Sequence, residues 1–202
     1  MPSSLRILSA AALTLLSASA FATTTVYTSA STFLAAVAPG AYFQNFDGLD
    51  DPAPGAAAFS GGGFSYTAFA PQDLYVGGGF LGTSQISEAL TLTFTSGNVT
   101  AIGGNFFISD YNDNFQSVSV TLNLNDGTSV TWTPTTFADS YRAFTSDVAI
   151  LSLTMSGPGP SLYASIDNLT VGAAAVPEPG TWALMGLGLA GLATLARRRN
   201  KA

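Results

Sequence analysis

The sequence predicts an all-β domain, an antiparallel β-sandwich of jelly-roll type, set between an N-terminal signal peptide and one C-terminal transmembrane helix. Three observations carry that prediction. Apolar residues alternate with Ser, Thr and Asn in several stretches, the period of a strand with one buried and one wet face. Turn signals recur about every ten residues, the spacing of sandwiches and barrels. Both ends carry targeting segments rather than core, which leaves residues 23–175 for the fold, enough for one domain with a sizeable core.

In chain order, the first element is the one helical candidate, Ser31 to Ala38, with Ser31 placed to cap it and Pro39-Gly40 to stop it. From Asp47 to Gly63 the chain is rich in Gly, Pro and Ala and reads as a long loop. Gly61 to Gly63 and Gly77 to Gly79 lack the lysine and the strand-to-helix setting of a phosphate cradle, so they read as turns or bulges. Leu90, Leu92 and Phe94 alternate with Thr91, Thr93 and Thr95; Val118, Val120, Leu122 and Leu124 alternate with Ser117, Ser119, Thr121 and Asn123. Asn125-Asp126-Gly127 then breaks the pattern before Val130 and Trp132 resume it, a hairpin signal of the type I′ kind. Leu151, Leu153 and Met155 form a further strand. At Ile166-Asp167-Asn168-Leu169 the alternation slips, because Ile166 and Leu169 cannot both face inward on a regular strand; a bulge is expected there.

Composition narrows the chemistry. The formal net charge of −6 conceals an asymmetry: five of the six basic residues lie in the terminal segments, leaving Arg142 alone against eleven carboxylates between Asp47 and Asp167. So acidic a surface repels phosphate backbones, which argues against nucleic acid as a partner and suits divalent cations. The chain has no cysteine, so its stability rests on core packing or bound ions. It has no histidine, so Ser-His-Asp and Cys-His machinery and the usual zinc ligand sets are excluded. Between the terminal segments there is no lysine, which removes P-loop and Schiff-base chemistry.

Residues 1–22 read as a secretory signal peptide, with Arg6 as the positive region, Ile7 to Leu16 as the apolar region and Ala20-Phe21-Ala22 as the cleavage site. Residues 176–202 combine Val176-Pro177-Glu178-Pro179-Gly180, the uncharged run Thr181 to Ala196, and Arg197-Arg198-Arg199 followed by Lys201. Sixteen residues of helix reach about 24 Å, a short span for a bilayer core of about 30 Å. The basic cluster places the C-terminus in the cytoplasm and the domain outside. Polar motif, short span and basic tail in this order resemble the PEP-CTERM sorting signal of Gram-negative bacteria. That resemblance implies exosortase as the processing partner, after signal peptidase and the secretion machinery. It also implies anchorage in the inner membrane before processing, and then release to the cell surface or the extracellular, exopolysaccharide matrix. Phe46-Asp47-Gly48 and Ile166-Asp167-Asn168-Leu169 are similar to elements of jelly-roll ectodomains found with this tail.

Within the domain, Asp110, Asn112, Asp113 and Asn114 crowd oxygen ligands into one loop, as calcium requires, although the Gly and distal Glu of an EF-hand are missing. The competing reading is an Asx-rich turn. Asp47 and Asp167 form a second candidate calcium pair if the first and last strands lie side by side; otherwise both solvate strand ends. Arg142 reads either as a fork for a sugar or carboxylate or as a structural ion pair near Asp139 and Asp147. Tyr66, Tyr75, Tyr111, Trp132 and Tyr163 include candidates for a sugar-stacking platform, with Trp132 placed on a core-facing position. The expected function is a non-catalytic one, binding or structuring exopolysaccharide, with calcium as the candidate cofactor. The alternatives are a glycan hydrolase or lyase using paired Asp residues, such as Asp110 or Asp113 with Asp139, and a matrix protein without a specific ligand.

Overall fold

Thirteen short strands account for almost all the regular structure in a computed structural model that describes residues 23–49 and 54–176 together with Met185 and Leu189. The expected signal peptide and most of the tail, including Pro177, Glu178, Pro179, Gly180 and Arg197 to Arg199, lie outside the described residues. Among the described residues no helix is long and apolar enough to cross a membrane.

The strands are β1 (Thr24–Tyr27), β2 (Tyr42–Gln44), β3 (Pro54–Gly61), β4 (Phe64–Gly77), β5 (Phe80–Thr83), β6 (Leu90–Phe94), β7 (Ala101–Ser109), β8 (Phe115–Gln116), β9 (Val120–Leu124), β10 (Ser129–Trp132), β11 (Tyr141–Ser146), β12 (Ser152–Met155) and β13 (Tyr163–Gly172). All pair antiparallel in one curled sheet ordered β1-β11-β7-β13-β5-β4-β6-β12-β9-β10, with β2 on β13, β3 on β4 and β8 on β7. The curl is made by β4. Its first part, Tyr66 to Phe69, pairs with β6, and its last part, Leu74 to Gly77, pairs with β5. Between them lies Pro71, which has no N–H to give a ladder, and the exposed Gln72 and Asp73. The strand changes partners where the ladder cannot continue, so the two halves of the sheet face each other.

Their inward faces make one core. Leu92 from β6, Leu122 from β9 and Leu153 from β12 meet Phe106 from β7, Phe144 from β11 and Ile166 from β13, all buried. Each such side chain contributes about 1.5–3 kcal/mol relative to exposure. Strand β7 is buried along its whole length, because its outward Phe107 is covered edge-on by Phe80 and Phe137 at 5.3 and 5.2 Å.

Several expectations are corrected. The stretch read as a loop from Asp47 to Gly63 contains strand β3, which runs along β4 and turns into it through Gly62 and Gly63. Alternate residues Ala57 and Phe59 pack on the core, and small side chains suit an edge. Helix α1 spans only Ala30–Leu34, with Ser29 rather than Ser31 at its N-cap; its Phe33 packs against Tyr27 and Tyr141. The chain leaves helical geometry there because Val37 bridges to Ala174 instead. The β9–β10 hairpin forms, but of its turn residues only Gly127 has positive φ (90°), so the turn is not type I′. Leu151 precedes β12 and is exposed rather than buried. The Gly78-Gly79 turn joins β4 to β5 as expected, and β13 has its bulge between Asp167 and Thr170, with Asn168 at φ 52°.

Strand β7 sets the long axis. Ala101 pairs with Thr145 and Gly172 at one pole, where Thr24 pairs with Ser146. Ser109 pairs with Tyr163 at the other, roughly 25 Å away at strand rise. Entry and exit of the described domain therefore share the first pole. There Thr23 N donates to Asp147 Oδ1 at 2.9 Å, and Ala175 N donates to the Ala36 carbonyl at 2.8 Å.

Candidate functional site

The second pole carries an open groove of about 310 Å³. Antiparallel pairing brings its walls together from four strand ends: Tyr75 near the end of β4, Phe80 opening β5, Ser109 closing β7, and Tyr163 opening β13. The fifth contribution is the loop after β7, with Asp110, Tyr111 and Asp113.

That loop is shaped by its own first carboxylate. Asp110 Oδ1 accepts from the main-chain N–H groups of Asn112 (2.9 Å) and Asn114 (3.0 Å), and Oδ2 accepts from Gln116 Nε2 (2.9 Å). The Asn114 amide, followed by that of Asn112, holds the Asp110 carboxyl below its usual range against some desolvation. Asp113 takes a left-handed φ of 64°, a conformation Asp tolerates, and its Oδ2 accepts from the Tyr75 hydroxyl at 2.8 Å. The tight turn leaves Tyr111 projecting, 85 % exposed. The Asx-turn geometry is thus present, and Asp110 meets five hydrogen-bond donor contacts, four from its own loop and one from Gln116 of β8. A cation there would compete with them.

The second acidic pair does come together. Strand β2 pairs with β13, so the turn carrying Asp47 reaches the bulge carrying Asp167. Burial raises the Asp167 pKa above its ordinary value; the Asn168 amide opposes that, and the Asp47 charge adds to it. Asp167 accepts from Asn168 N (2.6 Å) and Nδ2 (2.9 Å), and Asn168 donates onward to Asn105. Asp47 accepts from Asn45 Nδ2 at 2.7 Å and lies against Gly79, where an added Cβ would sit 2.7 Å from its Oδ1. The neighbouring Gly78 faces Asp113, so both predicted acidic sites border one glycine turn. Among the described residues no group of three or more carboxylates converges to hold a metal ion.

Arg142 lies elsewhere, on β11. Its guanidinium stacks 4.3 Å above the Trp132 ring and donates to the main-chain oxygens of Tyr141 (2.6 Å) and Asp139 (3.1 Å). Desolvation lowers its pKa while the Asp139 charge opposes that. The Asp139 carboxylate accepts from Thr135 Oγ1 and does not line the groove. Trp132 is half-buried against the core, as its strand position implied, and Tyr66 is fully buried. Of the five aromatic candidates the groove therefore collects Tyr75, Tyr111 and Tyr163. Sequence reasoning missed Phe80, Thr83, Ser84 and Ser109: the first three lie far from the acidic loop in the chain and reach it only through strand pairing, whereas Ser109 directly precedes Asp110.

At the opposite pole the main chain is hydrogen-bonded to Ala175, and Val176, 79 % exposed, is the last residue described before Pro177. Residues 175–199 match the model of the PEP-CTERM protein-sorting motif. The tail is a PEP-CTERM sorting signal. A PEP-CTERM signal marks an exported protein with exosortase as its processing partner. The match covers about an eighth of the chain and describes no part of the β domain apart from its final residues. No curated protein and no solved structure matches the chain.

Proposed function

We propose that exosortase sorts this protein to the cell surface or extracellular matrix, where its non-catalytic domain binds exopolysaccharide through the tyrosine groove. We read the curled sheet as a jelly-roll-like sandwich serving as a rigid holder for that groove. The observation that carries the proposal is the position of the groove at the pole opposite Ala175 and Val176, where the described domain ends and the sorting motif begins. A chain held by its tail then presents Tyr75, Tyr111 and Tyr163 outward. Aromatic faces pack on the C–H face of a pyranose, and neighbouring hydroxyls and carboxylates bond its hydroxyls. A non-catalytic role is supported by Asp110, whose carboxyl is held low, whereas a general acid needs a raised pKa. Calcium, if the domain takes it, belongs between Asp47 and Asp167, where a divalent cation would offset their mutual repulsion.

The test has two arms. Replacing Pro177 and Pro179 with Ala should leave the protein unprocessed in the membrane fraction; unchanged processing and location would remove the sorting half of the proposal. Tyr111→Ala should leave folding and sorting intact but abolish co-sedimentation with exopolysaccharide from the producing culture. Undiminished co-sedimentation would remove the binding half.

A further inference from the structure

We infer that the groove selects a polysaccharide carrying free amines, a hexosamine polymer, over a neutral or uronate-bearing one. This rests on the groove being a glycan site and concerns which glycan it takes. Among the described residues the lining contains two carboxylates, Asp110 and Asp113, and no basic side chain. Asp110 is occupied by its own loop, so Asp113 is the group left to meet a ligand. Its Oδ2 accepts from Tyr75, whereas among the described residues no donor reaches its Oδ1. A sugar ammonium satisfies such an oxygen with a charge-assisted bond, which is stronger than one from a hydroxyl. Tyr111 and Tyr163 add ring faces that attract a cation.

The wider field acts in the same direction. Between the terminal segments Arg142 is the single cation, and its guanidinium is engaged by Trp132 and main-chain oxygens on β11. A uronate entering the groove meets carboxylates and no counter-charge, while a polyamine is drawn toward them. N-acetylation of the same sugar removes the charge and keeps the ring, so it separates the two contributions.

The experiment measures binding of the full-length chain in detergent micelles to three hexasaccharides, at physiological salt and at a pH where glucosamine is charged. They are a glucosamine hexamer, an N-acetylglucosamine hexamer and a polyuronate hexamer. The expected result is that the glucosamine hexamer binds at least about tenfold tighter than its N-acetylated counterpart, a difference of about 1.4 kcal/mol, and that the uronate does not bind. Asp113→Asn should remove most of that preference. Asp126→Asn, which deletes the same charge on the β9–β10 turn, should change affinity less than about twofold, since a remote exposed charge is screened. Melting curves establish that each variant is folded. Equal binding of the two glucosamine hexamers would overturn the amine preference and leave the groove reading standing. Equal losses from Asp113→Asn and Asp126→Asn would replace the site with a diffuse charge effect and overturn the inference. If no hexamer binds, or Tyr111→Ala changes nothing, the groove reading itself falls.

Discussion

Asp167 occupies the position where the alternation of β13 breaks, and there the bulge holds a carboxylate close enough to feel the Asp47 charge. Its pKa is raised in the folded state, so its contribution to stability is fully present below the unfolded value, near 3.8. That contribution is lost as pH rises through the higher folded value. At neutral pH the ionised group therefore opposes folding. We expect Asp167→Asn, which keeps an acceptor for Asn168, to raise the melting temperature at pH 7 and to give no gain at pH 3. An equal shift at both values would show that charge is not the cause. If the pair holds calcium, added calcium should raise the wild-type melting temperature and leave that of Asp167→Asn unchanged. The bulge was legible because Ile166 and Leu169 cannot share a face. The meeting with Asp47 was legible only as a possibility of sheet order, since residues 120 positions apart leave no local signal. The groove shows the same division: Tyr111 and its acidic loop are visible as a motif, but Phe80 and Tyr163 join them only through pairing.

Among the elements, strands with large alternating side chains were the readable ones. Leu90–Phe94, Val120–Leu124 and Ser152–Met155 lie where the period of two placed them. Strand β3 was not readable, because Ala and Gly bury little area and leave almost no periodic contrast to detect. Its place is fixed by β4, whose ladder it extends. Strand β7 leaves no room for an added carbon at Gly103. An added Cβ at Gly103 would lie 2.5 Å from Ala143 Cβ and 2.7 Å from the Tyr141 hydroxyl, so two paired strands would have to separate. Gly103→Ala should cost about 1–3 kcal/mol by overpacking. Leu92→Ala, on the facing half of the core, should cost about 2–5 kcal/mol by leaving a cavity. Denaturant melts of both variants check this; a Gly103→Ala protein as stable as wild type would mean that β7 and β11 are not packed as described.

For the whole molecule, one core spanning both halves of the sheet means the domain should fold without its targeting segments. A chain of residues 23–176 should be soluble and melt cooperatively at the temperature of the full protein; an aggregated product would contradict that. The main chain stays hydrogen-bonded to Ala175, two residues before Pro177, so almost no slack separates folded domain from sorting motif. The common pole for entry and exit also has a mechanical meaning. A polymer tugging on the groove while the tail holds the far end stretches β7 and β13 along their own lengths. Their ladder, from Tyr163↔Ser109 to Gly172↔Ala101, is then loaded in shear, with its bonds strained together rather than opened one by one. Single-molecule extension between position 111 and the C-terminus should accordingly require more force than extension between position 111 and Ser129 on the outlying β10. Equal forces would mean that the tether geometry gives no such reinforcement. On the function proposed above, the sheet would bear tension between a polymer in its groove and whatever holds the chain beyond Val176.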